Sequence, residues 1–389
     1  MKSLFGYGNT TKAIAKSGDW NIFDDKFENI STDEFGNILF PSNKFNPKIS
    51  KLEITSPGIS PQNPLIKKAN NLISEYDYFY PFPFSIWITG TNGKTTTTEM
   101  IKYLLPESDI GGNIGNPLAN MDKNCKFWIL ETSSFTLHYT KIAKPNIFVL
   151  LPITPDHISW HGSFEQYKKD KLSVMDRMNE KDIAIIPNEF KNYPTNAYKI
   201  TYNNSQDLIN NFNFKDIIFD EPFRLDEVLA KTIYKILFFK EKSLKNFKLD
   251  PHKIEEFYDS KHRLWIDDSK ATNVDATIQA IKRYKNKKIY LILGGDSKGQ
   301  NLIPLFKEIK NYNIELFLIG KDMPLFEELA KKYKVSYKNC KILKNAINSI
   351  NNVLTKNDVG LLSPASASLD QFKNYKERGK LFKELVNKS

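Results

Sequence analysis

The stretch ITGTNGKTTTTEM, residues 88–100, decides how the rest of the chain is read. It leaves an apolar run, FSIWITG (84–90), turns on Gly90 and Gly93, and meets Lys94 and the four threonines Thr95–Thr98. A strand, a glycine turn and a helix start together make an anion cradle. Glycine lets the backbone approach closely, and the first N–H groups of the helix point at the anion. Lys94 adds a charge that can bridge phosphates, and Thr95 adds a hydroxyl for a divalent cation. The common phosphate loop places four residues between its first glycine and the Gly-Lys pair. Here only Thr91 and Asn92 separate Gly90 from Gly93. As a plain strand-to-helix connection, the loop leaves Lys94 and the β-branched threonines without a reason.

Outward from this loop, one unit recurs: a short apolar run, a turn, then a helical pattern. Examples are KFWILE (126–131), NIFVLLPI (146–153), DIAIIP (182–187), RLWIDD (263–268), KIYLILGG (288–295) and DVGLLSP (358–364). Runs that are apolar throughout suit parallel strands covered on both faces. Alternation of strand and helix predicts an α/β architecture. The prolines of YFYPFPFS (78–85) and the polar KSLKNFKLDPHK (242–253) mark two breaks. The expected domains are 1–83, 84–249 and 250–389, with nucleotide in the middle one, because ligands of open α/β sheets gather at strand carboxyl ends.

The chain has 389 residues and a net charge of +11. Only five of its basic residues are arginine (Arg177, Arg224, Arg263, Arg283, Arg378), and the lysines are scattered. Nucleic-acid recognition favours the arginine fork, so no nucleic-acid partner is expected; small anionic substrates suit the same charge. Neither an apolar signal region nor a run near the ~20 apolar residues of a membrane span is seen, so no membrane association is expected. Cys125 and Cys340 are too far apart in sequence for a disulfide framework, which favours the cytoplasm.

Two further stretches carry chemistry. WILETSSF places Glu131 at a strand end, where a carboxylate can hold Mg²⁺ opposite Thr95. PITPDHISWHGSFEQYKKDK brings Asp156, His157, His161 and Lys171 after the next strand. A Mg²⁺ site with histidine is unusual, since Mg²⁺ prefers oxygen, and the side chains that follow on the helix are lysines.

GTNGKT, ETSSF, the Asp-His pair and the Tyr167-x-x-x-Lys171 spacing resemble the Mur ligases, the ATP-dependent amino-acid ligases of peptidoglycan precursor synthesis. The resemblance extends to TSPGISP (55–61), GGNIGNP (111–117), DDSKATN (267–273), LGGDSKG (293–299) and LLSPASASLDQFKNYKERGKLF (361–382), and so covers all three expected domains. It is closest to the branch that adds D-glutamate to UDP-N-acetylmuramoyl-L-alanine. The family fold it implies is a Rossmann-like N-terminal domain, a central ATP-binding domain and a Rossmann-like C-terminal domain, acting as a monomer.

The resemblance also implies residues. ATP is expected on Gly90, Thr91, Asn92, Gly93, Lys94, Thr95 and Thr96, with Asp268 and Lys253 from the third domain. Two Mg²⁺ ions are expected, one on Thr95 and Glu131, the other on His157 and a Lys171 carbamylated by CO₂. Lys94, His157 and Lys171 are the implied catalytic set. The UDP-substrate is expected on Asn9, Thr10, Asp25, Lys26, Ser56 and Gly58, and on Asn113, Ser133 and His157. D-Glutamate is expected on Thr272, Lys298, Ser368, Leu369 and Tyr375, with Lys270 close by. The sequence also departs from the family. Spacing back from Asp268 puts the usual His-Arg pair on His252 and Lys253, with His262 and Arg263 as the other candidate. The His-Asn-x-x-Asn helix start is missing, and EPFRLDEVLAKTI (221–233) occupies its place.

Overall fold

The computed structural model describes Met1–Lys388 and contains three six-stranded sheets. The first holds β1 (Lys2–Phe5), β2 (Asn21–Asp24), β3 (Ser31–Thr32), β4 (Ile38–Pro41), β5 (Leu52–Thr55) and β6 (Leu72–Ile73), in the order β3-β4-β2-β1-β5-β6. The second holds β7 (Phe84–Thr89), β8 (Ser108–Gly112), β9 (Phe127–Glu131), β10 (Ile147–Leu150), β11 (Ile183–Pro187) and β12 (Tyr198–Tyr202), in the order β12-β11-β10-β7-β9-β8. The third holds β13 (Glu255–Tyr258), β14 (Leu264–Asp267), β15 (Ile289–Gly294), β16 (Ile314–Ile319), β17 (Tyr337–Lys341) and β18 (Val359–Leu362), in the order β13-β14-β18-β15-β16-β17. Among the described residues, only the strand pairs β3–β4 and β13–β14 are antiparallel. The fold is therefore α/β with mostly parallel sheets.

The continuous apolar runs form strands because both faces are covered. In β15, β16 and β18, Leu291, Leu293, Leu316, Leu318 and Leu361 join one core, while Ile292, Phe317, Ile319 and Leu362 join another. A period of two thus sends alternate residues into two hydrophobic layers. Helix starts are capped by side chains that accept an otherwise unpaired N–H, such as Ser133 from Thr136 and Asn374 from Glu377.

The chain divides into two compact units, 1–219 with 223–247, and 220–222 with 248 onward. Within the first, the first two sheets are tied together. The Asp77 carboxylate accepts the backbone N–H groups of Lys141, Ile142 and Ala143 at 2.7–2.8 Å. Glu75 accepts Leu118 N–H at 2.8 Å, and the Tyr139 hydroxyl donates to Ile59 O at 2.7 Å. The proline-rich 78–85 stretch is not a loose joint: Phe82 packs on Trp87 and Trp128 with ring centroids 6.1 and 5.4 Å apart. Among the described residues, no helix is long and apolar enough to cross a membrane.

Candidate active site

Strand β7 ends at Thr89, and the loop Gly90–Gly93 turns the chain into the helix Lys94–Leu104. Gly90 and Gly93 both have positive φ, +147° and +86°. Added Cβ atoms there would lie 2.4 Å from Leu151 Cβ and 2.5 Å from Asp226 Oδ1, so the turn accepts only glycine at these positions. The Lys94 ammonium folds back on its own loop, donating to Gly90 O at 3.0 Å and Thr91 O at 2.8 Å. Burial lowers its pKa, against the pull of Glu131 and Asp156. The Thr91 hydroxyl lies 2.9 Å from Thr154 O and 3.1 Å from the Tyr167 hydroxyl, which pins the loop to the segment after β10.

Glu131, at the end of β9 beside β7, accepts the Thr95 hydroxyl at 2.8 Å and the Asn113 amide at 2.6 Å. This oxygen pair beside the phosphate loop suits a hard divalent cation. Lys171 is 1% exposed, and donates to Gly90 O at 2.8 Å and Thr89 Oγ1 at 3.3 Å. Its ammonium lies 4.7 Å from the Tyr167 ring centroid. Burial, reinforced by Lys94, holds its pKa well below the ordinary lysine value. His157 caps the short helix Ile158–His161 with φ +53°. Its pKa is lowered by burial and by the Lys94 and Lys171 charges, while Asp156 pulls the other way. As a cation, Lys171 does not fit a metal site; a carboxylate-like adduct on its nitrogen would. Ser133 is engaged as the N-cap of the helix Ser134–Tyr139, and Thr96 is buried in the phosphate-loop helix.

In the first sheet, Asn9 and Thr10 follow β1, Asp25 and Lys26 follow β2, and Ser56 and Gly58 follow β5. These strands are neighbours, so the six residues share one carboxyl edge. Asp25 accepts the Ser42 hydroxyl, and Lys26 N–H is held by Asp24 at 2.9 Å. In the third sheet, Thr272 follows β14, Lys298 follows β15 and Ser368 and Leu369 follow β18, again on three adjacent strands. Backbone hydrogen bonds in both directions between Asp296 and Ala367 hold the second and third of these loops together. Ser368 is buried, Leu369 is exposed, and Lys298 is exposed at φ +50°. The Lys270 ammonium sits 6.0 Å from the Tyr375 ring centroid.

The His252–Lys253 segment lies against the DDSKATN turn. His252 Nδ1 is 2.6 Å from Asp267 Oδ2, and Ile254 N–H donates to Asp268 at 3.2 Å. Arg263 is instead committed to structure: its guanidinium binds Asp259 at 2.7 Å and the Asn351 side chain at 2.7 Å. Burial pushes the Asp268 carboxyl up to about 8, opposed by the Ser363 hydroxyl that donates to it at 2.7 Å.

Asp226 was not singled out by sequence. It sits on the helix Phe223–Phe238, accepts the Thr97 hydroxyl at 2.7 Å, and is the group that excludes a side chain at Gly93. An acidic residue in the first turn of a helix reads as a partner of the helix dipole. Its actual partner lies 129 residues away, so no local signal exists.

The profile of the Mur ligase middle domain matches residues 88–221, which spans the phosphate loop, Glu131, His157 and Lys171. The UDP-N-acetylmuramoylalanine–D-glutamate ligase of Campylobacter jejuni is 52% identical over 99% of this chain and 99% of its own. The chain belongs to this ligase family. A Helicobacter pylori ligase of the same name is 45% identical, again with 99% of both chains covered. Among solved structures, the MurF ligase of Thermotoga maritima in complex with ADP aligns with a TM-score of 0.59 and 16% identity, covering 87% of this chain and 88% of its own. The UDP-N-acetylmuramate–alanine ligase MurC of the same organism aligns with a TM-score of 0.56 and 15% identity, covering 99% and 98%. At such identities the structural likeness concerns the Mur ligase fold alone.

Proposed function

We propose that this chain joins D-glutamate to UDP-N-acetylmuramoyl-L-alanine, with ATP cleaved to ADP and phosphate, in peptidoglycan precursor synthesis. The observation that carries the reading is the convergence of Lys94, the Thr95–Glu131 pair and the buried Lys171 on one short phosphate loop, in a chain of this family. The substrate carboxylate attacks the γ-phosphate, ADP leaves, and an acyl phosphate forms. The amine of D-glutamate then attacks the acyl carbon. The tetrahedral intermediate collapses with loss of phosphate, and the amine proton passes to solvent.

Lys94 and the loop N–H groups hold the transferring phosphoryl group, where charge builds during transfer. Lys94 releases the carbonyls of Gly90 and Thr91 to do so. Mg²⁺, two ions in this reading, neutralises charge on the phosphates when bound. Thr95 and Glu131 offer oxygen donors for one ion; His157 and a carbamylated Lys171 hold the other. Carbamylation needs the neutral amine, which burial beside Lys94 favours. The neutral amine attacks CO₂ and loses one proton to solvent, so an uncharged amine becomes an anionic carbamate. Asn9, Thr10, Asp25, Lys26, Ser56 and Gly58 take the uridine nucleotide, with Asn113, Ser133 and His157 toward the muramoyl peptide. D-Glutamate is a dianion and needs cations and hydroxyls, which Thr272, Lys298, Ser368 and Tyr375 offer beside Leu369. Lys253 and Asp268 serve ATP from the third sheet. Residues 1–83, 84–249 and 250–389 are then the UDP-substrate, ATP and amino-acid domains of a cytoplasmic monomer.

The test is the mass of the product. Incubation with UDP-N-acetylmuramoyl-L-alanine, ATP and D-glutamate should yield a species heavier by one glutamyl residue, and L-glutamate should yield none. Equal products from both enantiomers, or none from either, would overturn the proposal.

A further inference from the structure

Beside the active site, three side chains that the proposed reaction does not use converge on one point. His138 Nδ1 lies 2.9 Å and His161 Nδ1 2.7 Å from the same oxygen, Asp170 Oδ2. They come from three consecutive helices, Ser134–Tyr139, Ile158–His161 and Phe164–Leu172. Both flanking contacts of a metal-binding site are present. Gln166 donates to the other Asp170 oxygen at 2.7 Å, which fixes the carboxylate. Ser134 Oγ sits 3.0 Å from His161 Nε2, which fixes that ring. Such outer partners orient ligands and set metal affinity. Phe135 stacks on His161 at 5.5 Å, and Trp160 lies 4.5 Å from it, so the pocket wall is aromatic. The His161 side chain is fully buried and Asp170 is 7% exposed, whereas His138 is 23% exposed and leaves an entry.

We propose that His138, His161 and Asp170 form a site for a divalent transition metal of the Zn²⁺ class, separate from the Mg²⁺ positions at the phosphate loop. Two imidazole nitrogens and one carboxylate oxygen suit Zn²⁺, Co²⁺ or Ni²⁺ and not Mg²⁺. Three protein ligands leave a fourth position for water. Bonds of about 2.1 Å in a tetrahedral site hold ligands roughly 3.4 Å apart, so the 2.9 Å His138 contact opens by about 0.5 Å and the 2.7 Å His161 contact by about 0.7 Å. An imidazole that binds a metal through Nδ1 is neutral and carries its proton on Nε2; His161 Nε2–H then has Ser134 Oγ as acceptor, a hydroxyl that serves either tautomer. An ion here would brace the residue before Lys171 against the ETSSF helix. It would also brace the Trp160 and Tyr139 side chains that hold Gly58 O and Ile59 O.

The probe is Co²⁺ added to the tag-free, chelator-treated full chain. A tetrahedral site gives a visible absorption band that an all-oxygen octahedral site does not match in intensity. The expected result is such a band saturating at one ion per chain, lost or weakened at least about tenfold in His138→Ala. The band should also be lost in Asp170→Asn and kept in Glu131→Ala, which disables the phosphate-loop position instead. Absence of the band from the folded parent, or a band that survives His138→Ala undiminished, would overturn the proposal.

Discussion

Lys171 shows how a residue's surroundings set its chemistry. Lysine is ordinarily a solvated cation. Here burial and Lys94 disfavour the charged form, and a neutral amine beside the phosphate loop is open to CO₂. Lys171→Ala should lower turnover by about a hundredfold or more. Acetate should restore part of it by supplying a carboxylate, and no recovery in a folded variant at any acetate concentration would count against the carbamate. Lys94→Ala should abolish turnover while UDP-substrate affinity, read by calorimetry, stays within a few fold. Glu75 carries a different consequence. Burial raises its carboxyl from 4.5 to about 7. The folded chain keeps a proton that the unfolded chain has lost, so stability from this group is full below about 4.5 and is lost as pH rises to about 7. The loss is at most about 3 kcal/mol. Denaturant unfolding of Glu75→Gln should lack that slope between pH 4.5 and 7.

Elements constrain one another across long sequence distances. The helices Lys94–Leu104 and Phe223–Phe238 meet at Gly93, where Asp226 leaves no room for a Cβ. Gly93→Ala combines this collision with a φ of +86° and should cost about 1–3 kcal/mol of stability and weaken ATP binding. Asp226→Ala in the same chain should recover part of the loss, and strict additivity of the two changes would show that the contact is not the cause. The strands and the phosphate loop were legible because their signals are local: apolar runs, glycines, a lysine at a helix start. The helix Phe164–Leu172, FEQYKKDKL, reads as a solvated surface, yet Asp170 and Lys171 are buried in it. Their partners, His138 and Gly90, lie 32 and 81 residues away. Nothing local encodes those contacts. Resemblance pointed to Lys171, and nothing pointed to Asp170 or Asp226.

For the whole molecule, the three sheets repeat one rule: candidate residues sit where neighbouring parallel strands end. That rule places Asn9 with Ser56, Lys94 with Glu131, and Thr272 with Ser368, although it gives no chemistry by itself. As a monomer the protein should scatter light as a 45.0 kDa particle, with and without substrates. A particle of twice that mass at micromolar concentration would contradict the monomer reading.

The central claim is tested most directly by ATP-dependent phosphate release with UDP-N-acetylmuramoyl-L-alanine, Mg²⁺ and bicarbonate, comparing D-glutamate, L-glutamate, L-lysine and no amino acid. The account predicts release that requires D-glutamate and matches product one to one. Release driven equally well by L-glutamate or L-lysine, or no release from folded protein under any of these conditions, would contradict it.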